Sequence, residues 1–94
     1  MIILIPSLEP TKALPQLVGA LASELPSARV LIVDDGSGPT FAPIFRAAHH
    51  AGATVIGYEA NRGKGFALRT GLAWIQRNAP GQVVVCADSD GQHR

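Results

Sequence analysis

Four short, β-branched apolar runs recur along the chain, and each is separated from the next by a stretch long enough for one helix. They occupy residues 2–5 (Ile-Ile-Leu-Ile), 29–33 (Arg-Val-Leu-Ile-Val), 54–58 (Thr-Val-Ile-Gly-Tyr) and 82–87 (Gln-Val-Val-Val-Cys-Ala). The runs are continuous rather than alternating, which is the pattern of strands covered on both faces of a parallel sheet. Parallel neighbours need a crossover, and the crossover is usually a helix.

The intervening segments read as those helices. In the first, Leu14, Leu17, Val18, Leu21, Ala22 and Leu25 fall at helical spacing, Pro15 is admissible in the first turn, and Pro26 stops it. In the second, Thr40 reads as an N-cap, Pro43 lies in the first turn, Ile44, Phe45 and Ala48 form the stripe, and Gly52 ends it. In the third, Ala67, Leu68, Gly71, Leu72 and Ile75 share a face, and Pro80-Gly81 breaks the chain. The expected architecture is β-α-β-α-β-α-β, a doubly wound, mainly parallel α/β sheet with helices on both faces.

Composition narrows the class. The 94 residues are 47% hydrophobic and 16% charged, which places the chain among globular proteins and supports one core, hence a single domain over residues 1–94. A net charge of +1 gives no basic excess and argues against a nucleic-acid binder. The single cysteine, Cys86, excludes a disulfide framework or a cysteine-rich zinc site. No apolar run approaches the roughly 20 residues of a membrane helix, and the opening run reads as a strand rather than a signal peptide. A cytoplasmic domain is the default expectation.

In open parallel sheets, ligands bind beyond the carboxyl ends of the strands. All four aspartates, Asp34, Asp35, Asp88 and Asp90, fall at those ends. Asp and Gly are ordinary turn residues, but four carboxylates converging on one sheet edge repel one another unless a cation or hydrogen-bond donors compensate. In Asp88-x-Asp90, extended backbone points both carboxylates to one side, and Gln92 continues the parity with a carbonyl oxygen. Oxygen-only ligands at this spacing suit Mg²⁺ or Mn²⁺. His93 reads as a loop residue, since no partner histidine or thiolate has zinc-ligand spacing.

The segment Asn61-Arg62-Gly63-Lys64-Gly65 leads into the third helix. Glycines admit a ligand close to the backbone, and a helix N-terminus favours an anion. Arg62, Lys64 and Arg69 add positive charge. The spacing is neither that of a Walker A loop nor that of a dinucleotide fingerprint. Gly71, mid-helix, is explained by close packing of helix on sheet. Trp74, Phe41 and Phe66 read as packing residues, His49-His50 as a favourable helix C-terminus, and Cys86 as a small buried hydrophobe. Glu9 and Glu59 flank strand ends within reach of the same edge.

Three motifs then carry a resemblance: Val33-Asp34-Asp35-Gly36-Ser37, Asn61-Arg62-Gly63-Lys64-Gly65 with Gly71, and Ala87-Asp88-Ser89-Asp90-Gly91-Gln92-His93. In order and spacing they resemble family 2 glycosyltransferases, and most of all the polyprenyl-phosphate (dolichyl-phosphate-like) sugar transferases. The resemblance covers the whole chain. It implies the nucleotide-binding half of a GT-A fold, a UDP- or GDP-linked sugar as donor, Mg²⁺ or Mn²⁺ as cofactor, and a polyprenyl phosphate at the membrane as acceptor. By position, Pro6 and Ser7 would line the base pocket, and Asp34 and Asp35 would hold the nucleoside. Lys64 would lie near the diphosphate. Asp88, Ser89 and Asp90 would contact the nucleotide sugar, with Asp88, Asp90 and Gln92 at the metal. The first-strand loop departs from the family pattern, because Pro6-Ser7-Leu8-Glu9-Pro10 lacks its aromatic residue. The acceptor half and catalytic base are expected to lie outside these residues, so the catalytic residues are unassigned, and the apolar fourth strand is expected to expose an edge prone to self-association.

The alternative is a non-catalytic nucleotide-binding or interaction module derived from the same fold. A receiver-like domain would carry its paired acids after the first strand, not the second. A nucleotidyltransferase would carry its basic glycine loop there.

Overall fold

The computed structural model describes residues 1–88. The chain runs β1 (Ile2–Ser7), α1 (Ala13–Glu24), β2 (Arg29–Asp35), a 3-10 turn (Pro39–Phe41), α2 (Ala42–His50), β3 (Thr54–Tyr58), α3 (Lys64–Asn78) and β4 (Val84–Cys86). The four strands are parallel and lie in the order β3-β2-β1-β4. This is the doubly wound α/β sheet the sequence leads one to expect.

The pleat sorts the apolar runs into two cores, because successive side chains point to opposite faces. Ile3 and Ile5 of β1 and Val30 and Ile32 of β2 pack with Leu14 and Val18 of α1 and Phe45 and Ala48 of α2. Ile2 and Leu4 of β1 and Leu31 and Val33 of β2 pack with Ala67 and Ile75 of α3. β1 and β2 therefore form the double-sided interior, with Leu4, Ile5 and Ile32 fully buried. Each such side chain contributes about 1.5–3 kcal/mol on leaving water.

Gly71 is needed where α3 crosses the sheet. A Cβ there would collide with Leu4 Cδ1 and press on Val33 Cγ2. The helix lies against the strands closely enough that only hydrogen fits.

Four local expectations are corrected. β1 and β2 extend two residues past their apolar runs, because the parallel ladder continues through Ser7↔Asp34 and β3 extends it to Asp35↔Tyr58. Thr40 does not cap α2: it lies inside the 3-10 turn, and α2 starts at Ala42 with Pro43 in its first turn. β3 is half-buried rather than covered on both faces, as its place at the edge of the sheet requires. Cys86 is exposed, because β4 pairs only with β1 among the described residues.

Candidate functional site at the carboxyl edge of the sheet

The extension of β2 to Asp35 brings two adjacent aspartates to the carboxyl end, and the pleat sends them to opposite faces. Asp35 shares the parity of Leu31 and Val33 and points toward α3. Asp34 shares the parity of Val30 and Ile32 and points toward α2. The two carboxylates consequently have different hydrogen-bond partners.

Asp35 is buried, 3% exposed, and its carboxylate accepts four hydrogen bonds. Oδ1 accepts from the Tyr58 hydroxyl at 2.7 Å and from the Arg62 backbone N–H at 2.9 Å. Oδ2 accepts from Asn61 Nδ2 at 2.9 Å and from the Gly63 backbone N–H at 3.0 Å. Asn61 Nδ2 also reaches the Asp35 carbonyl oxygen at 3.1 Å. Gly63, the N-cap of α3, has no side chain with which to cap, and the first turn carries no acidic residue. Asp35 supplies that negative charge from a neighbouring strand and satisfies donors that would otherwise be orphaned. Buried charge is tolerable here because every acceptor site is engaged.

Tyr58 responds to the same arrangement. Burial raises its pKa well above the ordinary phenol value, and the hydrogen bond to Asp35 and the charge of that carboxylate raise it further. Its ring meets Phe66 edge-on, with centroids 5.2 Å apart and planes at 86°. The Arg62 and Arg69 guanidinium carbons lie 5.3 and 5.9 Å from the Phe66 centroid. Phe66 thus gathers two of the basic side chains flanking the glycine loop.

The loops are joined by backbone contacts that only glycine permits. Gly36 has φ +69°, and a Cβ there would strike the backbone of Ala60 and Asn61. The Asp-Gly turn and the basic loop are consequently packed backbone to backbone. On the other side, Asp34 Oδ1 accepts from the Ser37 N–H at 2.9 Å, and Ser37 Oγ accepts from the Glu9 N–H at 2.8 Å. Glu9 takes a positive φ of 49° to make that contact. Ser37 therefore ties the β1 loop to the β2 loop.

Ser7 is 2% exposed, and its hydroxyl has no hydrogen-bond partner among the described residues. Its parity with Ile3 and Ile5 sets it on the α1/α2 side, level with Asp34 in the ladder. Pro6, half-buried, falls on the α3 side.

Lys64 opens α3, and its Nζ lies 3.8 Å from Asp88 Oδ1 just beyond β4. Both side chains are well exposed, 68% and 63%, so the pair adds only about 0–1 kcal/mol to stability. Its interest is placement, since it brings the basic loop and the fourth carboxyl end together. Ser89, Asp90, Gln92 and His93 lie outside the described residues. Among the described residues, no group of three or more His, Cys, Asp or Glu side chains is arranged to hold a metal. No helix among them is long and apolar enough to cross a membrane.

Tyr58 and Ser37 are the functional-edge residues that sequence reasoning passes over as ligands of the aspartates. The signal for Tyr58 was available in register: it ends β3 directly opposite Asp35, so its strand delivers a donor to that carboxylate.

No curated protein matches the chain. A family model does, and it is described as Glycosyl transferase family 2, aligning with residues 2–94. With the parallel α/β sheet and the assembled carboxyl edge, this match over all but the first residue establishes that the chain belongs to glycosyl transferase family 2.

Proposed function

We propose that these residues form the donor-binding module of a transferase that passes a hexose from a UDP- or GDP-linked sugar to an acceptor of the polyprenyl-phosphate class. Family membership supports glycosyl transfer from a nucleotide sugar. The observation that carries the finer reading is the approach of Lys64 to Asp88, 3.8 Å apart at the carboxyl edge. That approach sets the ammonium at the start of α3 beside a carboxylate just beyond β4, the pairing of charges that a diphosphate with an accompanying cation would engage.

The nucleoside end falls to Asp34, Ser7 and Pro6 on and around β1 and β2. Asp34 keeps Oδ2 without a partner among the described residues, and the Ser7 hydroxyl is a buried polar group still to be satisfied. Asp35 acts through the loop it holds, fixing residues 61–63 and hence where Lys64 begins. Lys64 then attracts the diphosphate as a mobile point charge.

The metal reading rests on donor type. The Asp88 side chain is 63% exposed and its ion pair with Lys64 engages Oδ1, so the carboxylate is accessible to a hard cation. Asp90 and Gln92 complete the proposed donor set, with Ser89 beside them at the sugar diphosphate. A bound Mg²⁺ or Mn²⁺ would neutralise charge on the leaving diphosphate. We place the module in the cytoplasm, at a membrane surface where a polyprenyl phosphate is the acceptor.

The isolated 94-residue chain is proposed to bind donor without transferring sugar. Transfer needs an acceptor held in line with the anomeric carbon and a base beside it, and every residue assigned above serves the donor. The edge of β4, beside which Val83 and Val85 are 68% and 43% exposed, is a surface to be covered by a further strand. Calorimetric titration with UDP and GDP, with and without Mn²⁺, tests the binding reading. Metal-dependent heat supports it, whereas heat unchanged by EDTA contradicts the metal assignment. A radiolabelled transfer assay with polyprenyl phosphate tests the rest, and turnover above the Asp88→Ala/Asp90→Ala double variant would contradict the donor-only assignment.

A further inference from the structure

Among the described residues, β3 pairs with β2 and leaves its other side free. Natural edge strands are blunted by lysine, proline, a bulge or inward charge. Thr54–Tyr58 carries none of these: Thr-Val-Ile-Gly-Tyr is uncharged and, apart from Gly57, β-branched or aromatic. Beside it a groove of about 690 Å³ runs between α2 and β3, lined by the apolar Pro39, Phe45 and Val55.

The ends of this groove carry opposite charge. On the α2 wall lie Arg46 and, one turn nearer the start of β3, His49, whose Nδ1 is anchored 3.0 Å from the Ala53 carbonyl oxygen. At the carboxyl end of β3 lie Asp34 and Glu59. Arg46 and Glu59 are exposed, and neither has an ion-pair partner among the described residues.

We propose that this edge joins a second copy of the chain, β3 against β3 in antiparallel sense across a two-fold axis, making one continuous sheet from two. The charge pattern selects this occupant. Antiparallel pairing centred on Ile56 sets Glu59 of one copy beside Ala53 of the partner subunit, where the partner's His49 is anchored. The acidic end of each groove then meets the basic end of the other, twice by symmetry, so the surface is complementary to itself. Parallel pairing would put like charge against like. Val55, on the groove side of β3, packs across the axis into the apolar part of the facing groove.

The test is sedimentation equilibrium of the 94-residue chain and four surface variants, each checked for native circular dichroism. The wild type is expected to dimerise in the micromolar range. Glu59→Lys and Arg46→Glu should each raise the dimer dissociation constant by about tenfold or more, since each change acts twice in a two-fold interface. The double variant Glu59→Lys/Arg46→Glu should return toward the wild-type value. Val85→Lys, on the β4 edge, should leave the dimer unchanged. A chain that stays monomeric at the highest concentrations, a dimer indifferent to either single variant, a double variant no tighter than the singles, or a dimer lost in Val85→Lys would each overturn the proposal.

Discussion

The Tyr58 hydroxyl donates a 2.7 Å hydrogen bond to Oδ1 of Asp35, and through that carboxylate the last residue of β3 fixes the entry to α3. The relationship spans two strands and a loop. It converts a buried negative charge into the cap of a helix that has no capping side chain of its own. Tyr58→Phe removes one donor to a charged acceptor and should cost about 1.5–3 kcal/mol. Chemical denaturation measures this, and Asp35→Asn should cost more, because its amide nitrogen faces N–H donors.

The same contact predicts a pH dependence. Tyr58 is the only tyrosine, so the phenolate absorbance reports it alone. Its pKa is raised in the folded protein by burial and then by Asp35. The stabilisation therefore holds in full below the unfolded value near 10 and is lost as pH rises above it toward the folded value. Spectrophotometric titration should show the native protein ionising at higher pH than the denatured chain. Coincident curves would refute the buried hydrogen bond.

Gly36 and Gly38 provide a paired comparison. Both have positive φ, +69° and +90°, but a Cβ at Gly36 meets the backbone of residues 60 and 61, whereas at Gly38 it meets nothing within 4 Å. Each alanine variant carries backbone strain of about 1–2 kcal/mol. Gly36→Ala adds a clash with backbone that cannot rotate away and should be clearly the less stable in thermal unfolding.

Gly71→Ala should also destabilise. A helical alanine gains at most about 1 kcal/mol over glycine, while forcing a methyl against Leu4 and Val33 costs about 1–3 kcal/mol. A rise in melting temperature would show that α3 stands further from the sheet than described.

Much of this was legible in the chain. Residues 54–58 appear as β3 with no change of boundary, because β-branched residues end abruptly at Gly52 on one side and at Glu59 on the other. The layers followed from the periods of the runs. What the sequence hid was the consequence of adjacency. Asp34 and Asp35 read as one acidic pair, yet a strand separates neighbours onto opposite faces, and only the extended ladder revealed that both belong to β2. Cys86 misled for a related reason: an apolar run says that a strand forms, not whether it lies at the edge. The joining of Glu9 to Ser37 depends on a positive φ at a non-glycine residue, which no spacing rule signals.

Calorimetric titration of UDP and GDP with Mn²⁺ tests most directly the proposal that Lys64 and Asp88 serve one diphosphate site. Wild type, Lys64→Ala, Asp88→Asn and the double variant form a cycle. Each single change is expected to weaken binding by about tenfold or more, the two changes to be non-additive, and only Asp88→Asn to diminish the dependence on Mn²⁺. Nucleotide affinity that is unchanged by both substitutions, or equally strong in EDTA, would contradict it.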